Sequence, residues 1–257
     1  ILDRASLDDV DAISAFNADP DEVMHAVEDQ AEAIFTWDYE KGSRPRLDKL
    51  YEKAKVSQWN AQTDLDWSIE VDPTRAFNIF TESSPVNTGH WKEHPDSPAR
   101  NWGDKEWEQF SLESFGWRIS QFKHGEQGAL LCTAKIVETV PWIDAKYYAA
   151  TQVVDEARHV EVFEKYLDEK VGVRYPVNPH LQLLLDDIIN DSRWDMTYLG
   201  MQIMVEGLAL AAFGMMHQVT TEPLLKKLLR YVMSDEARHV AFGVLSLQEV
   251  YADMTSA

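Results

Sequence analysis

Cysteine is almost absent: Cys132 stands alone in 257 residues. No disulfide can form within such a chain, so the fold must come from its core, and the lone thiol suits a reducing cytoplasm. Six residues past Glu126, Cys132 reads as a packed core thiol. Positive charge is also scarce, with 24 Lys and Arg against 44 Asp and Glu, a formal net charge of −20. That balance argues against nucleic acid, whose phosphates would be repelled, and leaves room for a basic redox partner. Uninterrupted apolar runs of roughly 18 residues are missing, so no membrane span is expected. The start, Ile1-Leu2-Asp3-Arg4, lacks the basic and apolar parts of a signal peptide. The missing initial Met and the stop of the last helical pattern near Met254 are read as the edges of a longer chain.

What the sequence does contain is a duplication. Asp-Glu-Ala-Arg-His-Val occurs at 155–160 and again at 235–240. Each copy sets a Glu three residues before a His, which on a helix places a carboxylate and an imidazole on one face. Thirty residues before Glu156 is Glu126, and thirty before Glu236 is Glu206. The two sets, Glu126, Glu156, His159 and Glu206, Glu236, His239, are therefore offset by eighty residues throughout.

Helix punctuation turns this spacing into geometry. Pro141 lies midway between Glu126 and Glu156, and Pro223 sits near the middle of the second interval, each at an expected helix start after a turn. About fifteen residues down one helix and fifteen up the next cover about 22 Å each way, so the two Glu of each hairpin finish level. Two hairpins packed face to face predict a four-helix bundle with four Glu and two His converging, the arrangement of dinuclear iron and manganese carboxylate sites. Two divalent cations and four carboxylates sum to zero charge, which allows burial. Oxygen-rich ligation with one imidazole per metal favours iron or manganese over structural zinc. Asp155 and Asp235 are placed to accept the second ring N–H of a His from the opposite copy, and Arg158 and Arg238 to pair with those Asp.

The expected organisation is all-α: a wrap over 1–103 and a ferritin-like bundle over 104–257, joined in one structural domain. In the wrap, spacing predicts an amphipathic helix over about Asp21–Trp37, a second helix from Arg46, and an aromatic, irregular stretch over 56–104 with a short helix near Thr74–Thr81. His90 and His94 in its loop read as surface residues. The bundle helices are expected over Asp104–Thr139 (with Asp104 as N-cap), Trp142–Lys170, Ser192–Gln218 and Glu222–Asp253, with a short helix near His180–Ile189. His124, His180 and His217 fall off the ligand register. Positions one or two turns from a ligand should line a pocket. On the first hairpin these are Ala129, Thr133, Gln152 and Phe163. On the third bundle helix they are Gln202, Leu210 and Phe213, and on the fourth Val232, Met233 and Gly243.

The duplicated motif with its two upstream Glu resembles the ferritin-like superfamily, within it the ribonucleotide-reductase-like dinuclear iron proteins, over roughly residues 104–253. The resemblance implies O2 activation by two iron ions, or manganese or a mixed manganese–iron pair, acting on a small or medium-sized organic substrate by hydroxylation, N-oxygenation or desaturation. It implies a ferredoxin or reductase as electron donor, and it is compatible with a homodimer. Departures narrow the choice. Phe163 stands where most reductase subunits carry a radical Tyr, and Val232 where arylamine N-oxygenases add a third His. Leu210 replaces the Thr usual in hydrocarbon monooxygenases. Ala129 and Met201 occupy the positions that ligand-binding manganese–iron oxidases cross-link as Val and Tyr. The alternatives are such an oxidase, a radical-generating reductase-like subunit, or a non-enzymatic iron-binding or peroxide-detoxifying protein.

Overall fold

The computed structural model describes residues 24–37, 39–76 and 93–252, and no strand occurs among them. The chain order is α1 (Pro45–Val56), α2 (Asp104–Thr139), α3 (Ile143–Tyr166), α4 (Pro179–Asn190), α5 (Trp194–Val219) and α6 (Pro223–Ala252). A π turn over Leu167–Val171 extends α3. Within α5, a π segment over Leu199–Val205 separates α turns at Trp194–Tyr198 from the α-helix Glu206–Val219. Single π turns inside α-helices are rare and concentrate near functional sites. Nothing in the apolar periodicity foretold this one.

Two hairpins position the duplicated motifs. In the first, α2 packs along α3; in the second, α5 packs along α6. At the first turn, Lys146 Nζ donates to the carbonyls of Val137 and Glu138 at 2.8 and 2.9 Å, satisfying the end of α2. At the second turn the Glu222 carboxylate accepts the backbone N–H groups of Leu224 (2.7 Å) and Leu225 (2.6 Å), starting α6. The Tyr166 hydroxyl donates to the same carboxylate at 2.9 Å, tying the second turn to the first hairpin. Helix α2 starts at Asp104, but that residue is not its cap. The cap is Gly103, whose N–H is accepted by Glu106 at 2.9 Å.

Two apolar clusters fill the bundle. One gathers Phe115, Phe163, Tyr166, Phe213, Leu228 and Val232; the other gathers Ile136, Tyr148, Tyr198, Met201 and Phe242. By register along the helices, the motif residues lie between them. Helix α1 lies across α3 and α6, and the irregular stretch after it sends Trp59, Ala61 and Leu65 into the first cluster. Helix α5 is long and apolar enough to cross a membrane by length and composition, with 28% of its most apolar window buried. Here it is a bundle helix, inserting Met201, Gln202, Glu206 and Phe213 into the interior.

One expected helix is corrected. Residues 24–37, the described part of the segment read as an amphipathic helix, are an extended strap without helix. Its backbone bonds to the bundle instead: Ile34 N–H donates to the Glu138 carbonyl (2.9 Å), and Asn190 donates to the Glu28 carbonyl (2.8 Å). The Asp29 side chain takes the Ala31 N–H at 2.9 Å, a local bond that competes with helical pairing. The apolar spacing is not used for burial, since Met24, Phe35 and Trp37 are exposed. Residues 73–76 form a turn, and the rest of the short helix expected near Thr74–Thr81 lies outside the described residues, as does His90.

Gly243 sets the approach of α6 to α5. A Cβ there would sit 2.6 Å from Gln202 Cβ and 3.1 Å from the Gln202 carbonyl oxygen. Gly243→Ala is expected to push the helices apart and cost about 1–3 kcal/mol, read from urea unfolding midpoints. An unchanged midpoint would mean the helices have room to spare.

Candidate metal centre

Each hairpin delivers its acidic side chains to the interior because they sit on the face that α2, α3, α5 and α6 turn toward one another. Glu126, Glu156, His159, Glu206, Glu236 and His239 are all buried, none more than 4% exposed. Candidate ligand atoms fall into two groups, each with all its atoms within 4.8 Å of one another: Glu126, Glu156, His159 and Glu236; and Glu156, Glu206 and His239. Both imidazoles present Nδ1 to the carboxylates. His159 Nδ1 lies 3.3 Å from Glu126 Oε2, 3.3 Å from Glu156 Oε2 and 3.0 Å from Glu236 Oε1. His239 Nδ1 lies 3.1 Å from Glu156 Oε1, 3.2 Å from Glu236 Oε2 and 3.7 Å from Glu206 Oε1. Glu156 and Glu236 therefore reach both imidazoles, one oxygen to each, while Glu126 and Glu206 each serve one side.

The other ring nitrogens cross between the copies. His159 Nε2 meets Asp235 Oδ2 at 3.2 Å, and His239 Nε2 meets Asp155 Oδ2 at 3.3 Å. In the neutral ring, an Asp accepting the Nε2–H leaves Nδ1 as the lone-pair nitrogen, aimed at the carboxylate cluster. Arg158 lies between the two Asp, 2.5 Å from Asp155 and 3.0 Å from Asp235; Arg238 mirrors it at 3.2 and 2.5 Å. This quartet of two Asp and two Arg is neutral in itself. The four Glu carry the uncompensated charge.

Two residues of the irregular stretch complete this brace, and sequence reasoning missed them. Trp59 Nε1 donates to Asp235 Oδ2 at 2.7 Å. Gln58 donates to Asp155 Oδ1 at 3.0 Å and accepts from Arg158 at 2.6 Å. The Trp59 ring stacks on Tyr231 at 5.0 Å and lies under the Arg158 guanidinium at 4.8 Å. No periodicity marks them, because they enter from outside the helices; the only signal was the aromatic density around Gln58-Trp59-Asn60.

Without cations, protons balance the cluster. Burial, followed by His159 working in the opposite direction, pushes the Glu126 carboxyl up to about 7. Burial and then the neighbouring Glu236 charge push Glu206 up to about 8. For both histidines burial works downward, but the surrounding carboxylates outweigh it and hold the imidazoles well above their ordinary value. For Asp235 burial works upward and is outweighed by the bond to His159, which holds it well below the carboxylate range. Metal ions fit this arrangement on its donor chemistry: oxygen-rich, one imidazole on each side, and with Glu156 Oε2 and Glu236 Oε1 buried and accepting no hydrogen bond.

The remaining singled-out residues sort by position. Ala129, Thr133, Gln152, Phe163, Gln202, Phe213 and Val232 are buried, as is Gly243, whereas Leu210 and Met233 are half-buried. Phe163 and Phe213 stack at 5.7 Å and Phe122 packs edge-on to Phe213 at 4.8 Å, so that side is filled by aromatic rings. His124 holds the Tyr175 carbonyl at 2.9 Å, far from the motifs in role, and His180 is exposed. Burial pushes the Cys132 thiol up to about 12, which makes it inert packing.

No protein-family model and no curated protein matches this chain. Solved structures do. A glycine-to-phenylalanine mutant of an R2-like ligand-binding oxidase with anaerobically reconstituted Mn/Fe cofactor aligns at 20% identity over 84% of this chain and 78% of that one, with a TM-score of 0.59. A tyrosine-to-phenylalanine mutant of an R2-like ligand-binding oxidase aligns at 21% identity over 83% and 72%, also at 0.59. A form aerobically reconstituted with Mn/Fe aligns at 20% over 82% and 70%, at 0.55. The chain has the ferritin-like helical fold of those oxidases.

The electrostatics predict how the metal-free protein responds to pH. Glu126, Glu206 and both imidazoles have raised folded-state values, so their stabilising contribution is full below the unfolded values and is lost as pH rises through the folded ones. Asp155 and Asp235 are lowered, and their contribution is lost only in acid. The melting temperature of chelator-stripped protein should fall from about pH 6 to pH 9. Iron- or manganese-loaded protein should show little slope over that range; parallel curves would count against the balance described. Separately, Asp235→Ala should preserve the helical spectrum and weaken metal affinity about tenfold or more, measured by chelator competition. Unaltered affinity would remove Asp235 from any role in orienting His159.

Proposed function

We propose that this chain is an O2-activating oxidoreductase with a dinuclear iron, or manganese–iron, centre acting on a small or medium-sized organic molecule. One observation carries the reading: Glu156 and Glu236 each present one oxygen to either imidazole, inside a fully buried set of four Glu and two His. Glu126 and His159 would hold one ion, Glu206 and His239 the other, with Glu156 and Glu236 shared. Such a pair supplies the electrons and open coordination positions for O2 chemistry.

The protein's own part is orientation and exclusion of water. Asp235 and Asp155 fix the imidazole tautomers, and Arg158 and Arg238 hold both Asp as anions. The side chains of the two apolar clusters keep bulk water from the centre. The pocket for the organic substrate is assigned to the side of the centre lined by Ala129, Thr133 and Gln202, since aromatic rings fill the side of Phe213.

The mixed manganese–iron form is supported by the cofactor of the structural neighbours. Against a radical-generating subunit stands Phe163, a ring without a hydroxyl, four residues after His159. An external electron donor with a basic face fits the charge of −20. The lone, buried Cys132 fits a cytoplasmic setting. The exposed apolar residues Met204, Leu208 and Met215 on α5 are the surface we assign to a homodimer contact.

The test is elemental analysis of protein expressed with iron and manganese, followed by addition of O2 to the reduced form while the visible spectrum is recorded. Two redox metals per chain and a transient absorbance are expected, and Glu156→Ala should lose both. Stable, O2-indifferent metal would favour the iron-binding alternative, and zinc or no metal would overturn the reading.

A further inference from the structure

Gln152 breaks the repeat. Its counterpart eighty residues on is Val232, although the motifs that follow the two are identical. Gln152 is fully buried, and its Nε2 donates to Glu156 Oε1 and to Glu206 Oε1, both at 2.9 Å. A primary amide carries two N–H hydrogens, one for each carboxylate. It thus bridges two side chains that would otherwise repel, and turns one oxygen of each toward itself. Glu156 Oε2 is left without a hydrogen bond.

The same break recurs around it. Thr133, Tyr148 and Gln202 are fully buried with polar atoms that have no partner. Their counterparts by the eighty-residue offset are Phe213, Leu228 and Phe122. At these four positions a buried polar residue has an apolar counterpart in the repeat. The ligands are symmetric; their surroundings are not.

We propose that Gln152 is a positioning residue that makes the two metal positions chemically unequal. It braces Glu206 and Glu156 for the ion on the His239 side, while Val232 leaves the His159 side with no such donor. A neutral N–H donor favours the anionic carboxylate and fixes its rotation, so it strengthens the half it touches. This rests on the dinuclear reading above.

The test is a manganese(II) titration of the chelator-stripped full chain, following the free-ion electron paramagnetic resonance signal. The unaltered protein should bind two ions in two resolved steps, and the first equivalent should give uncoupled single-ion spectra. Gln152→Met keeps an unbranched chain of similar length and removes both N–H groups. It should retain a capacity of two ions while one binding constant falls about tenfold or more and the other stays within about twofold. Equal steps in the unaltered protein, or equal weakening of both steps in the variant, would overturn the proposal while leaving two metals in place. Failure of the unaltered protein to bind two ions would instead overturn the dinuclear reading on which it stands. Should Gln152→Met not fold, the resolved or unresolved steps of the unaltered protein still decide the inequality. The reciprocal Val232→Gln then decides the cause: it should strengthen only one step, and no change would remove the amide from the account.

Discussion

Four carboxylates in one buried layer dominate the energetics of this molecule. Ionised and alone, they would repel one another and each would lose the hydration it has in the unfolded chain. The helices can close over them only if positive charge closes with them. In the metal-free chain the protons on Glu126 and Glu206 and the charged imidazoles supply it; two divalent ions would supply it without pinning the site to a narrow pH. The apolar clusters on either side give the cluster its walls, and they also raise the cost of leaving the layer uncompensated.

The neutral quartet beside that layer has a different task. Asp155, Asp235, Arg158 and Arg238 are buried and mutually paired, so they add no net charge to a crowded interior. They determine which nitrogen of each imidazole faces the carboxylates. Trp59 and Gln58 extend the same logic outward: the stretch preceding the bundle is anchored by its hydrogen bonds to the two Asp as well as by its apolar side chains.

Much of this could be read from the chain because it depends on periodicity. The helix hairpins, the level of the four Glu, and the turns that end α2 and start α6 follow from an eighty-residue offset and two prolines. The parts that escaped do not repeat. The strap over 24–37 has helical apolar spacing, yet its backbone finds partners on α2 and α4, which spacing cannot reveal. Trp59 and Gln58 reach the centre across a sequence separation of about a hundred residues or more, from a segment with no pattern. The π segment before Glu206 leaves hydrophobicity unchanged while altering the ladder beneath it.

The crossed Asp–His bonds carry a consequence for how such a duplicated chain can be divided. In each hairpin the histidine is oriented by an aspartate that belongs to the other. A single hairpin has no anchor for its own imidazole, because the aspartate must come from a second one. The repeat is therefore duplicated in sequence without being modular in structure. A substitution of either aspartate is felt by the histidine of the other copy.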